Sequence, residues 1–235
     1  SEFLSMAAHE LRTPMASIYG FAELLMRRKL SPEKQQEVLQ TIHRQSELMV
    51  SIVNELLDLA RIEARRGLDL ELQTLDMGTL VRDVIGDFKT PEGRERPEFA
   101  DAAGPAAAQV DLNKMRQAIG NVISNAYKYS PPGSPVHVRI VSETAATPRV
   151  GIEIADRGIG MTAAQLARVS ERFYRADASG NVPGTGLGMS IVKEIIELLG
   201  GRLEMRSEPG QGTVVTLWLP LAAAAHQLYL GTAGA

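Results

Sequence analysis

The chain of 235 residues contains no cysteine. That excludes disulfides, thiolate metal sites and cysteine nucleophiles, and it fits a reducing compartment. A strong charge of either sign is also missing, with 25 Lys and Arg against 28 Asp and Glu and a formal net charge of −3. Nothing in that balance points to nucleic acid or to an anionic membrane. Long hydrophobic runs are absent as well. The longest, Leu217–Ala225, is interrupted by Pro220, whereas a bilayer span needs roughly 20 apolar residues. The first ten residues, SEFLSMAAHE, have neither the basic start nor the apolar run of a signal peptide. What remains is an ordinary globular composition, 44% hydrophobic and 23% charged. It is long enough for one large domain or two small ones.

Two patterns divide the chain. Leu4, Leu11, Ile18 and Leu25 recur every seventh residue, with Ala8, Met15 and Ala22 between them. Beyond Ser31 and Pro32, a candidate N-cap and first helical position, a second stripe runs through Val38, Ile42, Gln45, Met49, Ile52, Leu56 and Leu59. Alternating steps of four and three define apolar stripes on helices. Residues 1–66 therefore read as an antiparallel helical hairpin. Two helices cannot enclose stripes this wide, and a second copy would complete a four-helix bundle. The alternative is that both stripes pack against the C-terminal part of the same chain. From residue 68 the period changes to two in Leu68-Asp69-Leu70-Glu71-Leu72, as in a half-buried strand. Helices are expected over Met77–Lys89, Asp111–Tyr129 and Met189–Leu199. Strands are expected over Val136–Glu143, Val150–Ala155, Arg202–Ser207 and Thr213–Leu219, with short ones within 90–109. The fold class is α+β: the hairpin, then an α/β sandwich in which helices cover one sheet, over residues 67–220. Residues 221–235 read as a tail.

Four segments can carry chemistry. In His9-Glu10-Leu11-Arg12-Thr13-Pro14, a zinc-protease reading fails because position 13 is Thr rather than a second His. His9 belongs at the flank of the bundle, where a neutral imidazole can act as nucleophile and Glu10 can take its proton. Pro14 removes an N–H from the ladder and predicts a bend there. A histidine on a helix is more often a plain surface residue. Asn121, Asn125 and Lys128 share one helix face. Carboxamide oxygens and a cation suit a magnesium–polyphosphate group, and Tyr129 can stack on a base. The bland reading is a solvated polar face. Asp156-Arg157-Gly158-Ile159-Gly160 follows a strand, and its carboxylate can accept from the exocyclic amine of adenine while Gly158 and Gly160 admit close approach. Alone, it is a common turn. Gly184-Thr185-Gly186-Leu187-Gly188 leads into a helix whose N-terminus attracts anions. The preceding 170–183 could close over a ligand as a lid. No P-loop is present.

The boxes HELRTP, NVISNAYKYSP, DRGIG, ERFYRAD, GTGLGMSIV and GQGT occur in this order over roughly residues 3–220. In that order they resemble the bacterial sensor histidine kinases of two-component systems. The resemblance implies a dimerisation and phosphotransfer hairpin joined to an ATP-binding sandwich of the Hsp90, gyrase and histidine-kinase ATPase type. His9 matches the phosphorylated histidine, Glu10 the base beside it, and Thr13 the residue that positions water in phosphatase action. Asn125 matches the magnesium ligand, supported by Asn121, with Lys128 on phosphate and Tyr129 on adenine. Asp156 matches the adenine-reading carboxylate, with Gly158 and Gly160 opening the pocket. Phe173 and Arg175 match the lid-hinge box, and Gly184, Gly186, Leu187 and Gly188 the phosphate-side loop. ATP and Mg2+ are the implied cofactors. The implied partners are a second copy through residues 1–66 and a response-regulator receiver domain. The implied location is cytoplasmic, without nucleic acid or membrane contact by this segment. Departures are the eight residues before His9, a short alanine-rich 86–110, and Met15 and Met189 in place of Leu. A nucleotide-binding dimeric scaffold without kinase activity, or another ATPase of the superfamily, stands as the alternative.

Overall fold

A computed structural model describes residues 2–65, 70–101, 106–144, 147–176 and 184–222. Helices α1 (Glu2–Arg27) and α2 (Pro32–Arg65) form the hairpin. Ser31 accepts from the Lys34 N–H at 3.3 Å and Pro32 opens α2, as cap chemistry requires. Helix α1 runs through Pro14 without interruption. The apolar stripes divide between two fates. Leu59 is fully buried in the same cluster as the sandwich core, with Phe3 and Leu56 packed against it. Among the stripe residues Ala8 and Met15 stay exposed, as do Tyr19, Met26, Val50, Val53 and Leu57 outside the stripes. Packing within the same chain therefore covers the second stripe wholly or in part and leaves open mainly apolar side chains beside the stripes.

The sandwich follows: β1 (Leu72–Asp76), α3 (Met77–Asp87), β2 (Glu98–Ala100), β3 (Ala107–Asp111), α4 (Leu112–Tyr129), β4 (His137–Glu143), β5 (Arg149–Ala155), α5 (Ala163–Arg168), α6 (Gly188–Leu198), β6 (Arg202–Glu208) and β7 (Gly212–Pro220). The main sheet has the order β2-β4-β5-β7-β6. It is antiparallel except for the parallel β2–β4 pair. Alternate residues such as Ile140, Ile152, Ile154 and Leu217 point one way and are buried with Ile119, Ile123, Ile191 and Ile195 of α4 and α6.

Three details differ from the sequence reading. The strand expected at Leu68–Leu72 begins at Leu72, and 66–69 lie outside the described residues. Its start is set by its partner: β1 pairs with β3 from Leu72 opposite Asp111 to Asp76 opposite Ala107. There Asp111 turns the chain into α4, its carboxylate taking the Glu71 N–H at 3.1 Å and the Lys114 N–H at 3.0 Å. Second, β1 and β3 form their own ladder rather than joining the main sheet. Third, residues 221 and 222 are not tail. Leu221 N–H donates to Pro148 O and Ala222 N–H to Ala107 O, so they tie the small ladder to the main sheet. The rest of the expected tail, 223–235, lies outside the described residues. Helix α5, closed by a Thr162–Gln165 capping box, was not anticipated.

Candidate active site

Helix α4 buries Met115, Ala118, Ile119, Val122, Ile123 and Ala126. That orientation turns Asn121, Asn125, Lys128 and Tyr129 toward a cleft of about 270 Å³. Asn121 Nδ2 donates to Gly188 O at 3.5 Å, linking α4 to the glycine run. Among the described residues no group of three or more His, Asp or Glu side chains gathers for a metal. The two carboxamides are neutral oxygen donors of the kind a hard cation accepts alongside phosphate.

Strand β5 ends at Ala155 and delivers Asp156 to the cleft wall. Its Oδ1 accepts from Gly158 N at 2.8 Å and Thr213 N at 3.2 Å. Burial raises its pKa above the usual aspartate value, and these two backbone bonds partly oppose the rise. The neighbouring glycines sit where backbone closes in. A Cβ on Gly158 would lie 2.5 Å from Tyr129 O. One on Gly160, whose φ is +63°, would lie 1.9 Å from Glu208 O. At both positions protein backbone approaches as closely as only glycine allows. Gly158 itself does not line the cleft, whereas Gly160 does.

Gly184, Gly186 and Gly188 line the cleft as well. The space above Gly184 is empty to 4 Å. Leu187 does not line the cleft: its side chain is fully buried, and its N–H donates to Thr185 Oγ1 at 3.1 Å. Phe173 also stands behind the cleft rather than in it. Its N–H donates to Gly186 O at 3.0 Å, and its own φ of +62° is strained for a non-glycine residue. Arg175 lines the cleft, and 177–183 of the expected lid lie outside the described residues.

His9, Glu10 and Thr13 lie on α1, apart from the cleft lining. The His9 side chain is 73% exposed, and its Nδ1 is 3.5 Å from Glu10 Oε1. Thr13 Oγ1 donates to His9 O at 3.5 Å. The cleft also contains residues that sequence reasoning missed. Leu48, Ser51 and Glu55 of α2 line it, as does the buried Thr185. A hydroxyl inside a glycine run before a helix was a signal for Thr185. Glu55 gave none, because it sits on the polar face of a long amphipathic helix.

Residues 110–223 match the family described as histidine kinase-, DNA gyrase B-, and HSP90-like ATPase, and residues 1–65 match the His Kinase A (phospho-acceptor) domain. The chain belongs to the sensor histidine kinases. Circadian input-output histidine kinase CikA of Synechococcus elongatus is 29% identical over 232 residues, covering 93% of this chain and 30% of that protein. Histidine kinase ShkA, solved at full length with AMPPNP, is 31% identical with a TM-score of 0.64 over 95% of this chain and 46% of that one. ThkA, solved in complex with the response regulator protein TrrA, shares the fold at 20% identity. Its TM-score is 0.71 over 94% of this chain and 62% of that one. This histidine kinase chain thus spans under a third of CikA. No helix among the described residues is long and apolar enough to cross a membrane.

Proposed function

We propose that this chain is an ATP-dependent protein-histidine kinase that phosphorylates His9 and passes the phosphoryl group to an aspartate of a response-regulator receiver domain. The observation that carries the reading is the pairing of two parts in one chain: a cleft lined by a carboxylate, two carboxamides and a glycine run, and a solvent-open histidine beside a carboxylate. Asp156 takes the adenine amine. Asn125, with Asn121, holds the magnesium that accompanies the nucleotide, and Lys128 and the Gly184–Gly188 turn hold phosphate. Tyr129 stacks on the base, and Arg175 closes the hinge side. With the proton on Nδ1 facing Glu10, Nε2 carries the lone pair. Nε2 attacks the γ-phosphorus, the bond to the β–γ bridging oxygen breaks, ADP leaves, and the Nδ1 proton passes to Glu10. Such transfer depends on positioning and charge neutralisation rather than on covalent help from the protein.

The exposed apolar side chains Met15, Val50 and Val53 support a homodimer through the hairpin, and ThkA bound to TrrA supports a receiver-domain partner. Both activities place the segment on the cytoplasmic side, where ATP and receiver domains are. Thr13, one turn beyond His9 and exposed, positions water for hydrolysis of the phosphorylated partner; Thr13→Ala removes that activity and leaves autophosphorylation. Incubation with γ-labelled ATP tests the main reading. Label should be acid-labile and base-stable, and it should vanish in His9→Gln. Acid-stable label, or label that survives this change, overturns the reading in favour of a scaffold or another ATPase.

A further inference from the structure

The cleft holds an anion of its own. The hairpin lies against the sandwich at several points: Leu59 of α2 is buried in its core, Gln117 Nε2 donates to Asp58 Oδ2 of α2 at 2.6 Å, and the Phe3 ring of α1 meets Phe173 at 5.9 Å between centroids. Between these contacts the Glu55 carboxylate enters the cleft lining. Thr185 Oγ1 donates to Glu55 Oε2, and Ser51 Oγ donates to Glu55 Oε1 at 2.8 Å. Thr185 is 7% exposed and sits in the glycine run that opens α6. Its hydroxyl also accepts the Leu187 N–H at 3.1 Å. Helix α6 has no side-chain cap of its own, with Leu187 at the N-cap position. The positive end of its dipole is therefore served by a carboxylate from the hairpin.

We propose that Glu55 is a resident anion of the nucleotide site that competes with the phosphates, so that the hairpin-docked chain is the low-affinity state and nucleotide entry expels α2. The proposal rests on the kinase reading above. Glu55 occupies the Thr185 hydroxyl beside the α6 N-terminus, where phosphate oxygens would seek donors. Two anions cannot share them in a partly desolvated cleft without strong repulsion. The cleft volume of about 270 Å³ lies just below the roughly 300–1,000 Å³ of small-molecule sites. Three of its lining residues, Leu48, Ser51 and Glu55, belong to the docked helix. By linkage, whatever weakens the Glu55 contact must tighten nucleotide binding, and nucleotide must loosen α2 by the same factor. His9 lies outside the cleft in the docked arrangement, so the expulsion of α2 is also what releases the hairpin for transfer.

Titration of the whole chain with Mg2+–AMPPNP tests the competition, comparing wild type, Glu55→Ala and Glu55→Gln. Tightening of about tenfold is expected for Glu55→Ala, within the 5–150-fold span of ordinary site coupling, and of about threefold for Glu55→Gln, which keeps an acceptor but loses the charge. In the wild type, saturating nucleotide should speed amide exchange in 48–59 while slowing it in 184–190. Unchanged or weaker binding by a folded Glu55→Ala chain overturns the proposal, as does exchange in 48–59 that ignores nucleotide. Equal binding by wild type and variant removes Glu55 from the account and leaves the kinase reading standing. Absence of binding in both overturns the two together.

Discussion

In the sandwich, Ile119, Ile152, Ile191 and Leu217 have no exposed surface at all, and helices and sheet of one chain close over them. On the hairpin, Met15 keeps 54% of its surface, Val50 61% and Met26 87%, on helices whose sequence periodicity is at least as regular. The difference lies in geometry rather than in hydrophobicity. A sheet covered by helices encloses a core with one chain, whereas two helices share a single seam and leave their outer apolar flanks bare. One flank of this hairpin, around Leu56 and Leu59, is used against the sandwich. Met15, Val50 and Met26 have no such cover.

The largest expected effect tests that contrast directly. Ile119→Ala removes a fully buried side chain between α4 and the sheet and should cost about 2–5 kcal/mol in denaturant unfolding. Met15→Ala should change the unfolding free energy of a dilute, single chain by no more than about 0.5 kcal/mol. It should still raise the concentration at which sedimentation detects dimer. If Met15→Ala proves as costly as Ile119→Ala in the monomer, the flank is not an open surface.

The second effect separates stability from binding inside the sandwich. Burial raises the Asp156 pKa above the aspartate value of 3.8 in spite of the bonds from Gly158 and Thr213. A raised folded-state pKa means that the ionised carboxylate favours the unfolded chain. This penalty is absent below the unfolded pKa and grows as pH rises through the folded one. Asp156→Asn keeps an acceptor for both backbone bonds and removes the penalty, so its melting temperature at pH 7 should be unchanged or higher. Nucleotide affinity should nevertheless fall by about 1.5–3 kcal/mol, roughly 10- to 150-fold, because an amide offers the adenine amine a donor in place of a charged acceptor. Acidification should weaken wild-type binding at a higher pH than an ordinary aspartate allows, and Asp156→Asn should lack that limb. A variant that binds as wild type does would show that Asp156 faces no adenine.

What the sequence disclosed follows the same division. Most helices and central strands were readable from a strong period, helped before α4 by Asp111 and before α2 by Ser31 as caps. The cleft side chains Asn121, Asn125 and Asp156 were readable because local order fixes them, on one helix face or at a strand end. Contacts between distant segments were not. Nothing around Leu221 announces that it bridges to Ala108, and nothing around Glu55 announces Thr185, 130 positions away. Gly158 and Gly160 were correctly seen as close-approach positions, but the approaching group is backbone from Tyr129 and Glu208, which only the folded chain brings near. Leu187 was grouped with the glycines around it, and its apolar side chain instead turns into the core.

The smallest effects compare one device in the two regions. Asp111 and Ser31 both accept a backbone N–H three residues on, at 3.0 Å and 3.3 Å. Asp111 is 8% exposed and also holds the Glu71 N–H, so it joins β1, β3 and α4 at one carboxylate. Ser31 is exposed, and the first backbone bond of α2, from the Gln35 N–H to Ser31 O at 2.9 Å, does not use its hydroxyl. Asp111→Ala should therefore cost near the upper end of the cap range, about 1–2 kcal/mol, and Ser31→Ala near the lower end, about 0.5 kcal/mol. Amide exchange should show where each loss falls. The Asp111 variant should speed exchange in both 70–76 and 112–116, because one carboxylate closes two elements. The effect of Ser31→Ala should stop within the first turn of α2, since water replaces the lost acceptor there. Equal costs would mean that the hairpin turn is as tightly determined as the sandwich junction, and the contrast between the two regions would then be confined to their apolar faces.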